Sequence, residues 1–95
     1  MILPTGATSF AHSMQMGTEV YHTLATLLKK KFGLSAANVG DEGGFGAPQI
    51  IDENHTLEII AEALHLSGHE GKVDIGLDVA ASEFFDSKNK TYNFS

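Results

Sequence analysis

The sequence predicts an α/β fold in which two helices lie between short strands. Three observations support this prediction: a long helical stripe of apolar residues early in the chain, a shorter one near its middle, and an alternating strand pattern directly after that. The chain has 95 residues, which is enough for one small domain at most. The strands that would complete a sheet are therefore expected to come from outside this sequence.

The two ends of the sequence both have the pattern of incomplete strands. Residues 1–4 (MILP) form an apolar run that a proline cuts off, which is typical of the end of a buried strand entering a loop. Residues 91–95 (TYNFS) alternate polar and aromatic side chains and predict part of a hairpin. We therefore expect both ends to lie within a larger fold.

The first helix is predicted by apolar residues spaced three, four or seven positions apart. Ser9 is placed to cap its N-terminus, Lys29–Lys31 would complement the carbonyls of its last turn, and Gly33 would close it in the left-handed conformation. Gly17 costs about 1 kcal/mol relative to alanine inside a helix. It therefore indicates either a close approach by another element or simple tolerance. The predicted apolar stripe consists of Phe10, Met14, Val20, Tyr21, Leu24, Leu27 and Leu28, and Met16 is assigned with Met14 to core packing.

A second helix is expected over residues 53–66. Asp52 is placed to cap its N-terminus, and Gly68 would end it. Its predicted apolar face consists of Leu57, Ile60, Ala61 and Leu64.

A strand is predicted over residues 73–80, with two different faces. One face holds Val73, Ile75, Leu77 and Val79, and the other holds Asp74, Gly76, Asp78 and Ala80. Because the neighbours of Asp78 on its face are small, an ion or substrate would have room beside its carboxylate. Mg²⁺ prefers such hard oxygen ligands, but a single carboxylate is not a site. An exposed strand aspartate is the alternative interpretation.

The composition excludes several classes of function. The net charge is −6, and the acidic excess lies entirely after residue 40, because residues 1–40 are slightly basic. Nucleic acid is therefore not an expected partner. No segment has the pattern of a signal peptide or is apolar for long enough to cross a bilayer, so a cytoplasmic chain without a membrane segment is expected. Cysteine is absent, and the five histidines are too scattered to predict a zinc site.

The densest polar feature is the glycine-rich segment 38–48 (NVGDEGGFGAP), which lies between the helices. From local composition alone, acids among glycines predict a solvated turn. The segment matches neither the Walker loop nor the dinucleotide-binding fingerprint, and its acids would repel a phosphate. Asp41 or Glu42 would serve as a general acid or base if the rest of the fold removed water from it or placed a like charge beside it.

Four blocks of the sequence together resemble the enolase (phosphopyruvate hydratase) family. They are residues 1–6 (MILPTG), 17–22 (GTEVYH), 38–45 (NVGDEGGF) and 76–84 (GLDVAASEF), which occur in the family's order at nearly the same separations. Each block alone is a weak signal, whereas four in register outweigh the local alternatives given above.

The resemblance implies that residues 1–95 are an internal segment from the early part of the C-terminal catalytic barrel domain and contain no complete domain. The expected fold is a partial TIM-like barrel of the enolase type, consisting of the end of strand 2, two consecutive helices and strand 3.

The resemblance also implies a lyase of glycolysis and gluconeogenesis that interconverts 2-phosphoglycerate and phosphoenolpyruvate plus water, with Mg²⁺ as cofactor. Glu42 matches the proton donor to the leaving hydroxyl, and Asp78 matches a ligand of the more tightly held Mg²⁺. The lysine base, the other metal ligands and a second glutamate just before residue 1 would lie outside the chain. The full-length protein is expected to form a homodimer, and the isolated segment is expected to be inactive.

One residue departs from the family pattern, because Gly46 is an extra glycine before Ala47. It would either loosen the loop that carries Glu42 or lengthen it without effect. The alternative for the whole chain is a small acidic interaction domain, derived from an enolase-like chain, that contacts a basic partner.

Overall fold

A computed structural model describes residues 1–47, 50, 52–78, 81–83 and 85–92, and it has the predicted order of strand, helix, helix and strand. Two helices pack against each other, and two antiparallel pairs of short strands accompany them. No helix within the described residues is both long and apolar enough to cross a membrane. The elements are β1 (Ile2–Leu3), α1 (Phe10–Phe32), α2 (Glu53–Ser67), β2 (Asp74–Ile75), β3 (Phe85–Asp86) and β4 (Thr91–Tyr92), with short 3-10 turns at Leu34–Ala37 and Ala81–Glu83.

Both ends of α1 lie where the sequence predicts them. The Ser9 side chain accepts a hydrogen bond from the backbone N–H of His12, and Lys29–Lys31 occupy the last turn. The Gly33 N–H donates to the carbonyl of Lys29, with φ at 98° and ψ at 175°. Gly33 thus has the expected positive φ but not the left-handed helical ψ, because the chain extends here before it enters the next 3-10 turn.

The buried side of α1 differs from the predicted stripe. Val20, Leu27 and Leu28 are buried, and Met16 is fully buried, as expected. Phe10 and Met14 were expected to be buried but are 81% and 56% exposed. The residues that cover α1 come from β1, α2 and the segment after α2, and they meet the helix on the side of Met16.

Gly6, which precedes α1, and Gly17, which lies within it, have different surroundings. A Cβ on Gly17 would meet nothing within 4 Å among the described residues, so the structure favours tolerance over a close approach. Gly6 instead makes a close approach. Its N–H donates to the Lys72 carbonyl at 2.9 Å, and a Cβ would lie 3.0 Å from Lys72 backbone atoms.

Helix α2 has the predicted caps and a shifted buried face. Asp52 accepts from the N–H of His55 at 2.7 Å, and Gly68 adopts the left-handed conformation with φ at 81° and ψ at 13°. The predicted face is correct at Leu64 and wrong at Ala61, which is exposed. The buried residues are Ile59, Ala63 and Leu64, and Leu57 and Ile60 are half-buried.

Strands β1 and β2 pair antiparallel, with Ile2 opposite Ile75. Met1 and Gly76 extend the pair by exchanging two backbone hydrogen bonds of 2.8 and 2.9 Å. The chain reverses its direction at each of the three connections between β1, α1, α2 and β2. The two strands therefore run in opposite directions.

Strand β2 is shorter than predicted, since it ends at Ile75 and Leu77 is 67% exposed. The pairing of this segment reaches as far as Gly76, which exchanges hydrogen bonds with Met1. The predicted strand residues Val79 and Ala80 lie outside the described residues.

The expected partial hairpin is formed by β3 and β4, with Asp86 opposite Thr91. The Asp86 side chain accepts from the N–H of Lys88 at 3.0 Å, which fixes the turn. Residues 93–95 of the predicted terminal strand lie outside the described part of the chain.

Candidate functional site

The two acids of the glycine-rich segment lie at the tip of a tight hairpin. The Gly43 N–H donates to the Gly40 carbonyl at 3.0 Å, and the Gly40 N–H donates to the Gly44 carbonyl at 2.8 Å. Gly43 has φ at 82°, a conformation that glycine adopts without strain. Asp41 and Glu42 therefore occupy the two central positions of the turn. This segment is called the acidic hairpin below (residues 38–46).

The base of the acidic hairpin is closed by further backbone pairing. Val39 and Phe45 form an antiparallel bridge, and the Gly46 N–H donates to the Asn38 carbonyl at 2.8 Å. The extra glycine thus takes part in the backbone pairing that closes the hairpin.

One side chain of α1 anchors the acidic hairpin. The Tyr21 hydroxyl donates to the Gly43 carbonyl at 2.8 Å. The Tyr21 ring stacks on the Phe45 ring, with centroids 4.6 Å apart and an angle of 24° between the planes. Sequence reasoning assigned Tyr21 to the apolar stripe and missed this contact. Its position in the block 17–22 and its polar end were the available signals.

The acids at the tip are exposed to water. None of the ion pairs within the described residues includes Asp41 or Glu42. The acidic hairpin thus fixes the position of both acids at a turn that faces water.

Asp78 is exposed and lies three residues beyond β2. The neighbouring Asp74 has a partner of its own, because the Thr5 hydroxyl donates to its carboxylate at 2.6 Å. The space expected beside Gly76 is filled, since Leu3 and Met1 side-chain atoms lie 3.2 and 3.6 Å from the position of a Cβ. Room for an ion next to Asp78 is therefore not created by Gly76.

The donor chemistry of Asp78 fits Mg²⁺, but the number of donors does not make a site. Among the described residues, no group of three or more His, Cys, Asp or Glu side chains could hold a metal ion. Two histidines instead pair with glutamates, His65 with Glu70 at 2.7 Å and His69 with Glu19 at 2.8 Å. The described residues thus form no metal site by themselves, and a metal at Asp78 would need ligands from elsewhere.

A cleft between the helices and the acidic hairpin is apolar. It has a volume of about 380 Å³ and is lined mainly by Leu24, Leu28, Phe45, Ala47, Ile50 and Ile59. Such a lining binds no phosphate or carboxylate. The cleft is better explained as an apolar surface that this chain does not cover by itself.

Comparison with known proteins gives a match along the whole chain. Residues 1–95 match the family model described as "Enolase, C-terminal TIM barrel domain". An enolase from Mastigamoeba balamuthi is 52% identical over 93 residues, which are 98% of this chain and 21% of that protein. The chain thus spans about a fifth of the length of this relative. It belongs to the enolase family and matches the C-terminal TIM barrel domain of that family.

Proposed function

We propose that this chain is a segment of a longer enolase, called the parent protein below, that interconverts 2-phosphoglycerate and phosphoenolpyruvate plus water with Mg²⁺. Family membership and 52% identity to an enolase support this proposal. The observation that carries it is the acidic hairpin, which holds Glu42 at its tip and is anchored to α1 by Tyr21. As the family resemblance implies, the parent protein would be a cytoplasmic homodimer.

Within the barrel, β1 would be the end of the second strand, α1 and α2 the consecutive helices, and β2 the beginning of the third strand. The antiparallel pairing of β1 with β2 supports this assignment, because two helices in succession require that direction. Residues 1–95 would then form the early part of the barrel domain.

In this proposal Glu42 donates a proton to the leaving hydroxyl. Hydroxide is a poor leaving group, whereas a protonated hydroxyl departs as water. Glu42 must therefore hold a proton at neutral pH, which requires loss of water or a second carboxylate nearby. A glutamate just before Met1 would be placed to act in this way, since Met1 lines the same cleft as Gly44 and Phe45.

Asp78 would supply one oxygen ligand to Mg²⁺ in the parent protein. Its backbone follows directly from β2, whose pairing with β1 fixes the start of this segment. When bound, the metal would stabilise the negative charge of the enediolate. The lysine that takes the proton beside the substrate carboxylate and the other metal ligands would come from later parts of the barrel.

The substitution Glu42→Gln in the parent protein tests the assigned role. It removes the transferable proton at nearly constant shape, so kcat should fall by about 10²- to 10⁴-fold, the range for loss of a general acid. Steady-state formation of phosphoenolpyruvate measures this, and circular dichroism checks that the variant is folded.

Asp41→Asn is the matched control, because it removes the same charge from the neighbouring exposed position of the turn. Its turnover should stay within a few-fold of the parent value. Near-normal turnover of Glu42→Gln would exclude Glu42 as the proton donor.

A further inference from the structure

We propose that Tyr21 is a positioning residue for Glu42, an inference that rests on the proposed function. Tyr21 touches neither the substrate nor the carboxylate of Glu42 in this account. It acts through the backbone of the acidic hairpin, and three features of the structure support this role.

The first feature is the position of the hydrogen bond. The Tyr21 hydroxyl donates to the carbonyl of Gly43, the residue that directly follows Glu42. Gly43 also closes the turn, because its N–H donates to the Gly40 carbonyl. The bond from Tyr21 therefore fixes the peptide unit between Gly43 and Gly44, one residue beyond Glu42. The peptide unit between Glu42 and Gly43 is itself held by the bond from the Gly43 N–H to Gly40.

The second feature is the contact between the rings. Tyr21 stacks on Phe45, which forms the backbone bridge to Val39 at the base of the acidic hairpin. Tyr21 thus holds the hairpin at two points, one beside the tip and one at the base. Two separated contacts restrict rotation of the hairpin about either one.

The third feature is the rigidity of the element that carries Tyr21. The preceding residue, Val20, is fully buried and packs in a cluster with Met16, Leu64 and Val73. Tyr21 is therefore attached to the part of α1 that contacts both α2 and the strand segment. A displacement of the hairpin relative to these elements would have to break the Tyr21 contacts.

A purely structural role is the competing explanation, in which Tyr21 only packs against the acidic hairpin. The substitution Tyr21→Phe separates the two explanations, because it keeps the stacked ring and removes only the hydroxyl. Loss of one hydrogen bond corresponds to roughly a two- to tenfold change in rate when the bond positions a reacting group.

The experiment is a double-mutant cycle in the parent protein with Tyr21→Phe, Glu42→Gln and the double variant. We expect Tyr21→Phe to lower kcat by roughly two- to tenfold. KM should change by less than about twofold, since ground-state binding is not affected. In the Glu42→Gln background, Tyr21→Phe should have no further effect, because the group that it positions is absent.

Two further variants make the cycle more specific. Phe45→Leu weakens the same anchor from the hairpin side and should likewise lower kcat only when Glu42 is present. Thr26→Ala is the matched control, since it also removes a hydroxyl from α1. The Thr26 hydroxyl donates to the His22 carbonyl and not to the hairpin. Its kcat should equal that of the parent protein.

The outcomes distinguish this inference from the proposed function. If Glu42→Gln is impaired and Tyr21→Phe has the parent kcat, Tyr21 is not a positioning residue and the proposed function stands. Equal losses from Tyr21→Phe in both backgrounds would also overturn the inference, because they indicate a structural effect. If Glu42→Gln itself retains normal turnover, the role proposed for Glu42 is wrong, and the inference about Tyr21 fails with it.

Discussion

At the scale of single residues, Asp78 depends on its neighbours for position. The segment before it is held by the exchange of two hydrogen bonds between Met1 and Gly76. Asp74, four residues earlier, carries the same charge and accepts a hydrogen bond from the Thr5 hydroxyl. The two aspartates thus form a matched pair for testing which carboxylate binds the metal.

We predict that Asp78→Ala in the parent protein raises the Mg²⁺ concentration needed for half-maximal activity by at least about tenfold. The physical reason is the loss of one negatively charged oxygen ligand from a hard cation. A titration of activity with Mg²⁺ measures the effect. Asp74→Asn should leave the titration unchanged, and the ligand assignment is wrong if the Asp78 and Asp74 variants behave alike.

The site residues could be predicted from the sequence only in part. The glycines around Glu42 predict a turn from local chemistry, and the turn is present with Gly43 at positive φ. The role of Glu42 follows from the family resemblance alone, because the neighbouring Asp41 is equally exposed. The contact from Tyr21 joins residues 22 positions apart, and no local pattern specifies such a contact.

At the scale of elements, the helix ends were predictable, whereas the buried faces were predictable only in part. The side chains of Ser9 and Asp52 each cap a helix N-terminus by accepting from the N–H three residues further along the chain. A short stretch of sequence therefore contains all the groups that form the cap. Burial depends on what packs against a helix. This is why Phe10 and Met14 have the spacing of core residues and are nevertheless exposed in this chain.

The connection between β1 and α1 gives a prediction at this scale. Gly6→Ala should loosen the β1–β2 pair, because its Cβ would lie 3.0 Å from the Lys72 backbone, which cannot rotate away. We expect a local destabilisation of about 1–3 kcal/mol. Hydrogen exchange of the amides in residues 1–8 and 70–76 of the parent protein should accelerate about fivefold or more.

Gly17→Ala serves as the opposite case. Apart from the backbone of its own helix and its chain neighbours, no described residue lies within 4 Å of its Cβ position. Alanine should therefore stabilise α1 by about 0.5–1 kcal/mol. Amide exchange in the first half of α1 should then slow down. Similar exchange in the two glycine variants would show that the approach of Gly6 to Lys72 does not constrain the fold.

At the scale of the whole molecule, the chain is more open than a finished domain of its size. Its accessible surface is 6879 Å², against about 5,300 Å² for a compact chain of this mass. Its radius of gyration is 15.4 Å, compared with about 12 Å for a compact domain of 95 residues. The buried residues also form two separate clusters. These features support the proposal that further parts of a barrel cover this segment.

The open shape also indicates which part of the catalytic chemistry these residues cannot supply by themselves. A proton donor needs an environment that keeps it neutral, and a metal needs several ligands. Both requirements are met by residues that converge from different parts of a fold. The described residues provide two exposed acids, Asp41 and Glu42, on an anchored hairpin and the exposed Asp78 after a strand. The catalytic centre is therefore proposed to form only in the parent protein.

The most direct test of this account compares the purified 95-residue chain with the parent protein in the same assay. Each is supplied with 2-phosphoglycerate and Mg²⁺, and formation of phosphoenolpyruvate is measured. We expect steady turnover by the parent protein and none above buffer by the chain, because the base and most metal ligands are proposed to lie in later parts of the parent protein. Mg²⁺-dependent phosphoenolpyruvate formation by the chain alone, or a folded parent protein without activity, would contradict it.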